Sequence, residues 1–172
     1  MTNKELSQAI INALKAAGFN RKDFSIRSYD AGYEQVCRIE IKNPLVRRSE
    51  VEAIAKRFQQ IDYDGRCMEI LAGGNTFINV QYEYGLFDEV AKDLEPLAEK
   101  VIESGKWDGM PIADNETKTV YFTVYDREAR EFLVTEHNKD DSYTYNPNYW
   151  IRCPHDLAVA MYRFKNIGTI YA

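Results

Sequence analysis

Hydrophobic residues recur along this chain with two periods, one helical and one alternating, and the switches between them mark the expected elements. Leu6, Ile10, Leu14 and Ala17 fall at helical spacing, Thr2 and Glu5 have the spacing of a capping box, and Gly18 supplies a stop, so a helix is expected over residues 3 to 17. FSIRS at 24 to 28 reads as a short strand and Tyr29-Asp30-Ala31-Gly32 as a turn. Over 34 to 42 the period drops to two: Cys37, Ile39 and Ile41 alternate with Arg38, Glu40 and Lys42, which gives a hairpin with one wet face. Asn43-Pro44 breaks the strand. Ser49 and Glu52 are spaced to cap a second helix with Val51, Ile54, Ala55 and Phe58 as its buried stripe. The runs 66 to 71 and 76 to 84 are separated by Ala72-Gly73-Gly74-Asn75, a hairpin turn signal.

In the second half, residues 86 to 104 predict a third helix with Val90, Leu94, Leu97, Val101 and Ile102 inward, kinked or restarted at Pro96 and ended at Gly105. Residues 106 to 116 have the composition of a linker. A further hairpin is expected from 119 to 125 and 130 to 135 around Asp126-Arg127, then a polar, aromatic segment over 136 to 150, then a last helix over 155 to 165. Helix, two strands, helix, two strands implies an α+β fold. Short turns between the strands favour an antiparallel sheet with helices packed on one face, followed by a smaller hairpin-plus-helix lobe. The expected division is residues 1–105 and 106–172, the second part either a separate lobe or packed on the first part's core.

The chain has 172 residues, 45% of them hydrophobic and 28% charged, which fits one or two folded units and excludes wholesale disorder. No apolar run approaches the roughly 18 residues of a membrane span, and MTNKELSQ lacks the features of a signal peptide, so a cytoplasmic location and no membrane partner are expected. Cys37, Cys67 and Cys153 stand in no close pair and are expected to be reduced and mostly buried. The net charge of −5 is unevenly spread. Residues 1 to 85 hold 12 basic and 11 acidic side chains, whereas 86 to 172 hold 10 and 16, a balance that argues against general affinity for DNA or anionic lipid.

Motifs of catalysis are absent. Gly73-Gly74 lies between strands and lacks the residues of a phosphate loop, and Cys153-Pro154-His155 is too tight for zinc. The candidate nucleophiles Cys153 and Cys37 are read as ordinary free cysteines, the two histidines standing in an acidic loop (His137) and at a helix start (His155). A non-enzymatic protein without cofactor or metal is expected. Two surface features remain. Asp140, Asp141, Tyr143, Tyr145, Tyr149 and Trp150 combine carboxylates with the large, polar-tipped rings that anchor protein interfaces. The alternative is a loop whose aromatics fold back onto the core. Arg47, Arg48, Lys56 and Arg57 stand at the start and outer face of the second helix, either as phosphate contacts or as ordinary solubilising charges.

The segments GFNRKDFSIR at 18 to 27, VCRIEIKNP at 36 to 44, VEAIAKRF at 51 to 58, GGNTFINVQY at 73 to 82 and YRFKNIGTIYA at 162 to 172 resemble small proteins of phages and conjugative elements. Those proteins share a module with the large polyvalent proteins such elements inject, and are similar to some type II anti-CRISPR inhibitors of Cas9. The likeness is best over residues 18 to 84. It implies an anti-CRISPR protein that binds the Cas9–guide RNA complex and reduces target-DNA binding or cleavage, with the acidic stretch and the aromatic segment as the contacting surface. This chain lacks the strong negative charge of full DNA mimics. The reading from another class is a nucleic-acid-binding accessory module of a mobile element, in which the sheet and the Arg47, Arg48, Lys56, Arg57 cluster contact phosphates.

Overall fold

In the computed structural model, which describes residues 1–104, 109–126, 128–129, 131–142 and 149–171, Thr2 and Glu5 close the expected capping box. The Glu5 N–H donates to Thr2 Oγ1 at 3.3 Å and the Thr2 N–H donates to Glu5 Oε2 at 2.8 Å. The helix they start, α1 (Asn3–Ala16), buries Leu6, Ile10 and Leu14, while Ala17 is the exposed C-cap. Strand β1 (Phe24–Ala31) runs farther than the sequence suggests, so the turn to β2 (Glu34–Ile41) centres on Gly32-Tyr33. Helix α2 (Arg48–Ala55) tightens into a 3₁₀ turn over Lys56–Phe58, and β3 (Thr76–Tyr82) completes a three-stranded sheet in the order β1-β2-β3. Both helices lie on one sheet face, against Cys37, Ile39, Ile41, Ile78 and Val80. Full burial of each such aliphatic chain contributes about 2 kcal/mol.

Three expectations about this unit need correction. First, β2 and β3 pair in parallel, Cys37 beside Ile78 and Ile39 beside Val80. The connection is a crossover through α2, so the sheet is mixed. Second, residues 66–71 form no strand; Tyr63 and Ile70 make an isolated bridge, and Gly73-Gly74 close no hairpin. Those glycines, at φ +96° and +80°, bring backbone to the Glu34 carboxylate, which accepts from Gly73 N–H at 2.9 Å and Asn75 N–H at 2.8 Å. Asn75, fully buried, holds the same loop by accepting from Asp62 N–H and donating to the Leu71 carbonyl, both at 2.7 Å. Third, Ser49 caps nothing. The N-cap residue is Arg47, and the first helical N–H, of Arg48, is met by the Tyr82 hydroxyl, which itself donates to the Val46 carbonyl at 2.8 Å.

The chain divides into compact units Met1–Leu86 and Phe87–Ala172, so the segment after residue 86 groups with the second unit, not with residues 1–85. Its packing explains why: α3 (Asp88–Ala91), a 3₁₀ turn and α4 (Glu95–Glu103) lie against the last helix, α5 (Pro154–Ile167). The helix does restart here, with Pro96 in the first turn of α4. Ala91 and Ala98 are fully buried, Val90, Leu94, Val101 and Ile102 are half-buried, and of the expected inward set Leu97 alone is exposed. His155, in the first turn of α5, joins the pieces through Nδ1 to Glu95 Oε1 at 2.8 Å and Nε2 to Asp88 Oδ1 at 3.4 Å. Gly105 lies outside the described residues. The expected linker contains a strand, β4 (Met110–Asp114), which with β5 (Lys118–Asp126), β6 (Glu131–Asn138) and β7 (Tyr149–Ile151) makes an antiparallel sheet in chain order. The whole is an α+β fold. Cys37 is buried, but Cys67 and Cys153 are exposed, against the expectation for all three. Among the described residues no helix is long and apolar enough to cross a membrane.

Candidate interaction surface on the second sheet

Alternation along β5 and β6 sorts the second sheet into two faces. Val120, Phe122, Phe132, Val134 and Ile151 are buried on the side that packs on α5. The opposite face carries Tyr121 beside Thr135, Thr119 beside His137, and Leu133 beside Trp150. Rings meet edge to face at two points on it. Tyr121 and His137 have centroids 5.0 Å apart at 82°, and Tyr125 and Trp150 5.0 Å apart at 84°. The register slips between Val124 and Asp126, so Tyr125 is the extra residue of a β-bulge. A bulge re-aims a side chain, and here the Tyr125 ring meets Trp150 while 65% and 41% of the two residues remain in water. Such a pair contributes about 1 kcal/mol beyond its buried area and presents a stiff apolar anchor with a polar tip.

Asp140 and Asp141 form the turn that leaves β6. The Asp140 carboxylate accepts from Ser142 Oγ at 2.5 Å and from its N–H at 3.0 Å, and these bonds hold it below its ordinary titration range. Asp141 sits at φ +57°, a left-handed conformation that Asp tolerates better than most residues, and its carboxylate is exposed. Beside the turn lies a cleft of about 500 Å³ lined by Thr119, Tyr121, His137, Lys139, Asp141 and Tyr171, among others. Lys139 does not leave an open cation there, because Asp114 takes its ammonium at 2.8 Å.

The structure therefore separates the residues that the sequence groups. Trp150 pairs with Leu133, five residues and roughly 17 Å along β6 from Asn138, where the acidic turn begins. Tyr149 takes the other face: it is half-buried, and burial pushes its hydroxyl up, with Arg163 opposing the shift. Tyr143 and Tyr145 lie outside the described residues. Of the basic cluster, Arg47 pairs with Glu50 at 3.7 Å, Arg48 with Glu52 at 2.9 Å and Lys56 with Glu52 at 3.9 Å. Only Arg57 has no ion pair among the described residues.

Sequence reasoning missed Glu136. It is held on the buried face by Lys118 Nζ at 2.8 Å and by the Ile170 N–H, so it ties the chain after α5 to the sheet. Burial first, and this carboxylate second, push the neighbouring Tyr171 hydroxyl up to about 12. An acid in a polar run at a strand end gives no sign of burial in sequence. Tyr125 was equally hidden, since its part depends on the bulge. Among the described residues no group of three or more His, Cys, Asp or Glu is arranged to hold a metal ion. No protein-family model, curated protein or solved structure matches this chain.

Proposed function

We propose that this chain is an anti-CRISPR protein of a phage or other mobile element, which binds the Cas9–guide RNA complex without catalysis and reduces target-DNA binding or cleavage. The observation that carries the reading is the outer face of the second sheet, which has an exposed Tyr125–Trp150 pair toward one end and the carboxylate turn Asp140-Asp141 beyond the other, roughly 17 Å away along β6. That surface belongs to the half of the chain with 16 acidic and 10 basic residues. Exposed carboxylates steer encounter with a basic nucleic-acid channel, and the aromatic pair slows release once water is excluded around it. The resemblance of residues 18 to 84 to mobile-element proteins supports the same host-facing role.

The test is Cas9 cleavage of target DNA with and without the purified protein, across several type II orthologues, with direct binding measured in parallel. Inhibition at a one-to-one ratio is expected. Asp141→Asn removes charge at a residue that Asn can replace at positive φ, and should weaken inhibition and flatten its salt dependence. Trp150→Ala should speed release. Full cleavage with no binding to any orthologue would sink the proposal.

A further inference from the structure

The face of the first sheet turned away from α1 and α2 carries its side chains in rows set by the register. Tyr29, Val36 and Phe77 form one row, and Arg27, Arg38 and Asn79 the next. Arg27, Arg38 and Asn79 are exposed, and Tyr29 keeps 48% of its surface in water. Two arginines thus stand directly opposite each other across β1 and β2. Like charges in that position destabilise an antiparallel pair, so an anion bridging them removes a cost already present in the free protein. Arg38 is partly matched: it pairs with Glu40 at 3.0 Å and, with the Gln81 amide oxygen turned toward it, donates to Gln81 at 2.6 Å. Arg27 has neither ion pair nor hydrogen bond among the described residues. The other acid on this face, Glu34, is taken up by the Gly73 and Asn75 N–H groups.

Two residues along the strands, about 7 Å away, the neighbouring row offers Tyr29 and Phe77 on the outer strands, about 10 Å apart across Val36. Guanidinium groups beside rings on an open sheet suit a polymer that alternates phosphate with an unpaired base. The phosphate bonds to arginine and the base stacks on the ring, whereas a duplex keeps its base faces inside its own stack. We propose that this face binds single-stranded nucleic acid, with phosphates on Arg27 and Arg38 and bases on Tyr29 and Phe77. It uses no residue of the Cas9 proposal and stands or falls separately.

The experiment is fluorescence anisotropy of the full chain with labelled oligo-dT and oligo-U of about 15 nucleotides and a duplex of equal length. Binding of either single strand in preference to the duplex is expected, the two arms distinguishing DNA from RNA. Two phosphate contacts on a single strand predict roughly a seven-fold loss of affinity between about 50 and 200 mM salt. Arg27→Glu and Tyr29→Ala alter exposed side chains and should each weaken binding about five-fold or more, with unchanged circular dichroism melting. Arg57→Glu, in the 3₁₀ turn after α2, should leave binding unchanged. Equal affinity for the duplex, no binding at about 100 µM protein, or binding that Arg27→Glu and Tyr29→Ala both leave intact would overturn the proposal.

Discussion

Replacing Lys118 by Met keeps most of the unbranched stem and removes the ammonium from beside Glu136, whose side chain is only 1% exposed. At the observed 2.8 Å and an effective dielectric of about 20, the attraction between the two groups is about 6 kcal/mol. Much of it is offset by taking the carboxylate out of water. After the substitution Glu136 keeps the Ile170 N–H but no cation, and removing one partner of a buried pair costs about 3 to 5 kcal/mol. Lys118 itself is 28% exposed, so water reaches the vacated position and the loss belongs at the lower end, about 3 kcal/mol. For a unit of this size that lowers the midpoint by roughly 12 to 24 °C. Urea unfolding followed by tryptophan fluorescence isolates the effect, because Trp107 and Trp150 both fall within Phe87–Ala172. Lys118→Met with Glu136→Gln should recover most of the loss, since the amide oxygen still accepts from Ile170 and no charge is buried. A loss under about 1 kcal/mol for the single variant, or a double variant no more stable than the single one, would refute the account.

Asn75→Ala strips the partners of the Asp62 N–H and the Leu71 carbonyl and should destabilise the first unit by about 2 to 4 kcal/mol, read by circular dichroism melting. The Glu34 carboxyl is held below its ordinary value of 4.5, chiefly by the Gly73 N–H. Its contribution is therefore present above that value and lost as pH falls through the lowered one; amide-exchange protection at Gly73 and Asn75 should drop there, and Glu34→Gln should abolish the pH dependence. Tyr171 is raised to about 12, so the stability its neutral hydroxyl supports is complete below about 10 and declines as pH climbs through about 12. Tyr171→Phe should be less sensitive than the parent over that interval in pH-dependent melting.

Helix α1 was legible because its cap, stripe and stop are all local, and the β5–β6 hairpin because alternation and turn signal coincide. The parallel β2–β3 pair was not, since Ile78 and Val80 alternate identically in either direction and only the route through α2 decides. Gly73-Gly74 misled for a related reason: left-handed backbone serves a side-chain anchor as well as a turn. The cap of α2 comes from Tyr82, far along the chain, so no local pattern holds it. Strand β4 was masked by Pro111 in a short segment that pairs only with β5. At the surface, residue type pointed to Trp150 and Asp141. Their separation along β6, the inward turn of Tyr149 and the partnership with Tyr125 depend on register, which the sequence does not display.

Parallel pairing of β2 with β3 also orders events in time. α1, β1 and β2 assemble from residues 3 to 41, whereas β3 must arrive across residues 42–75, a closure that costs about 3 kcal/mol of chain entropy. During synthesis, roughly 2 to 8 s separate the emergence of β2 from that of β3. Through that interval β2, bonded to β1 on one side, presents the row Cys37, Ile39 and Ile41 with an open backbone edge. The nascent chain is then most vulnerable to pairing with a second copy of itself, and α1, which is already made and packs against β2, acts as the row's temporary guard.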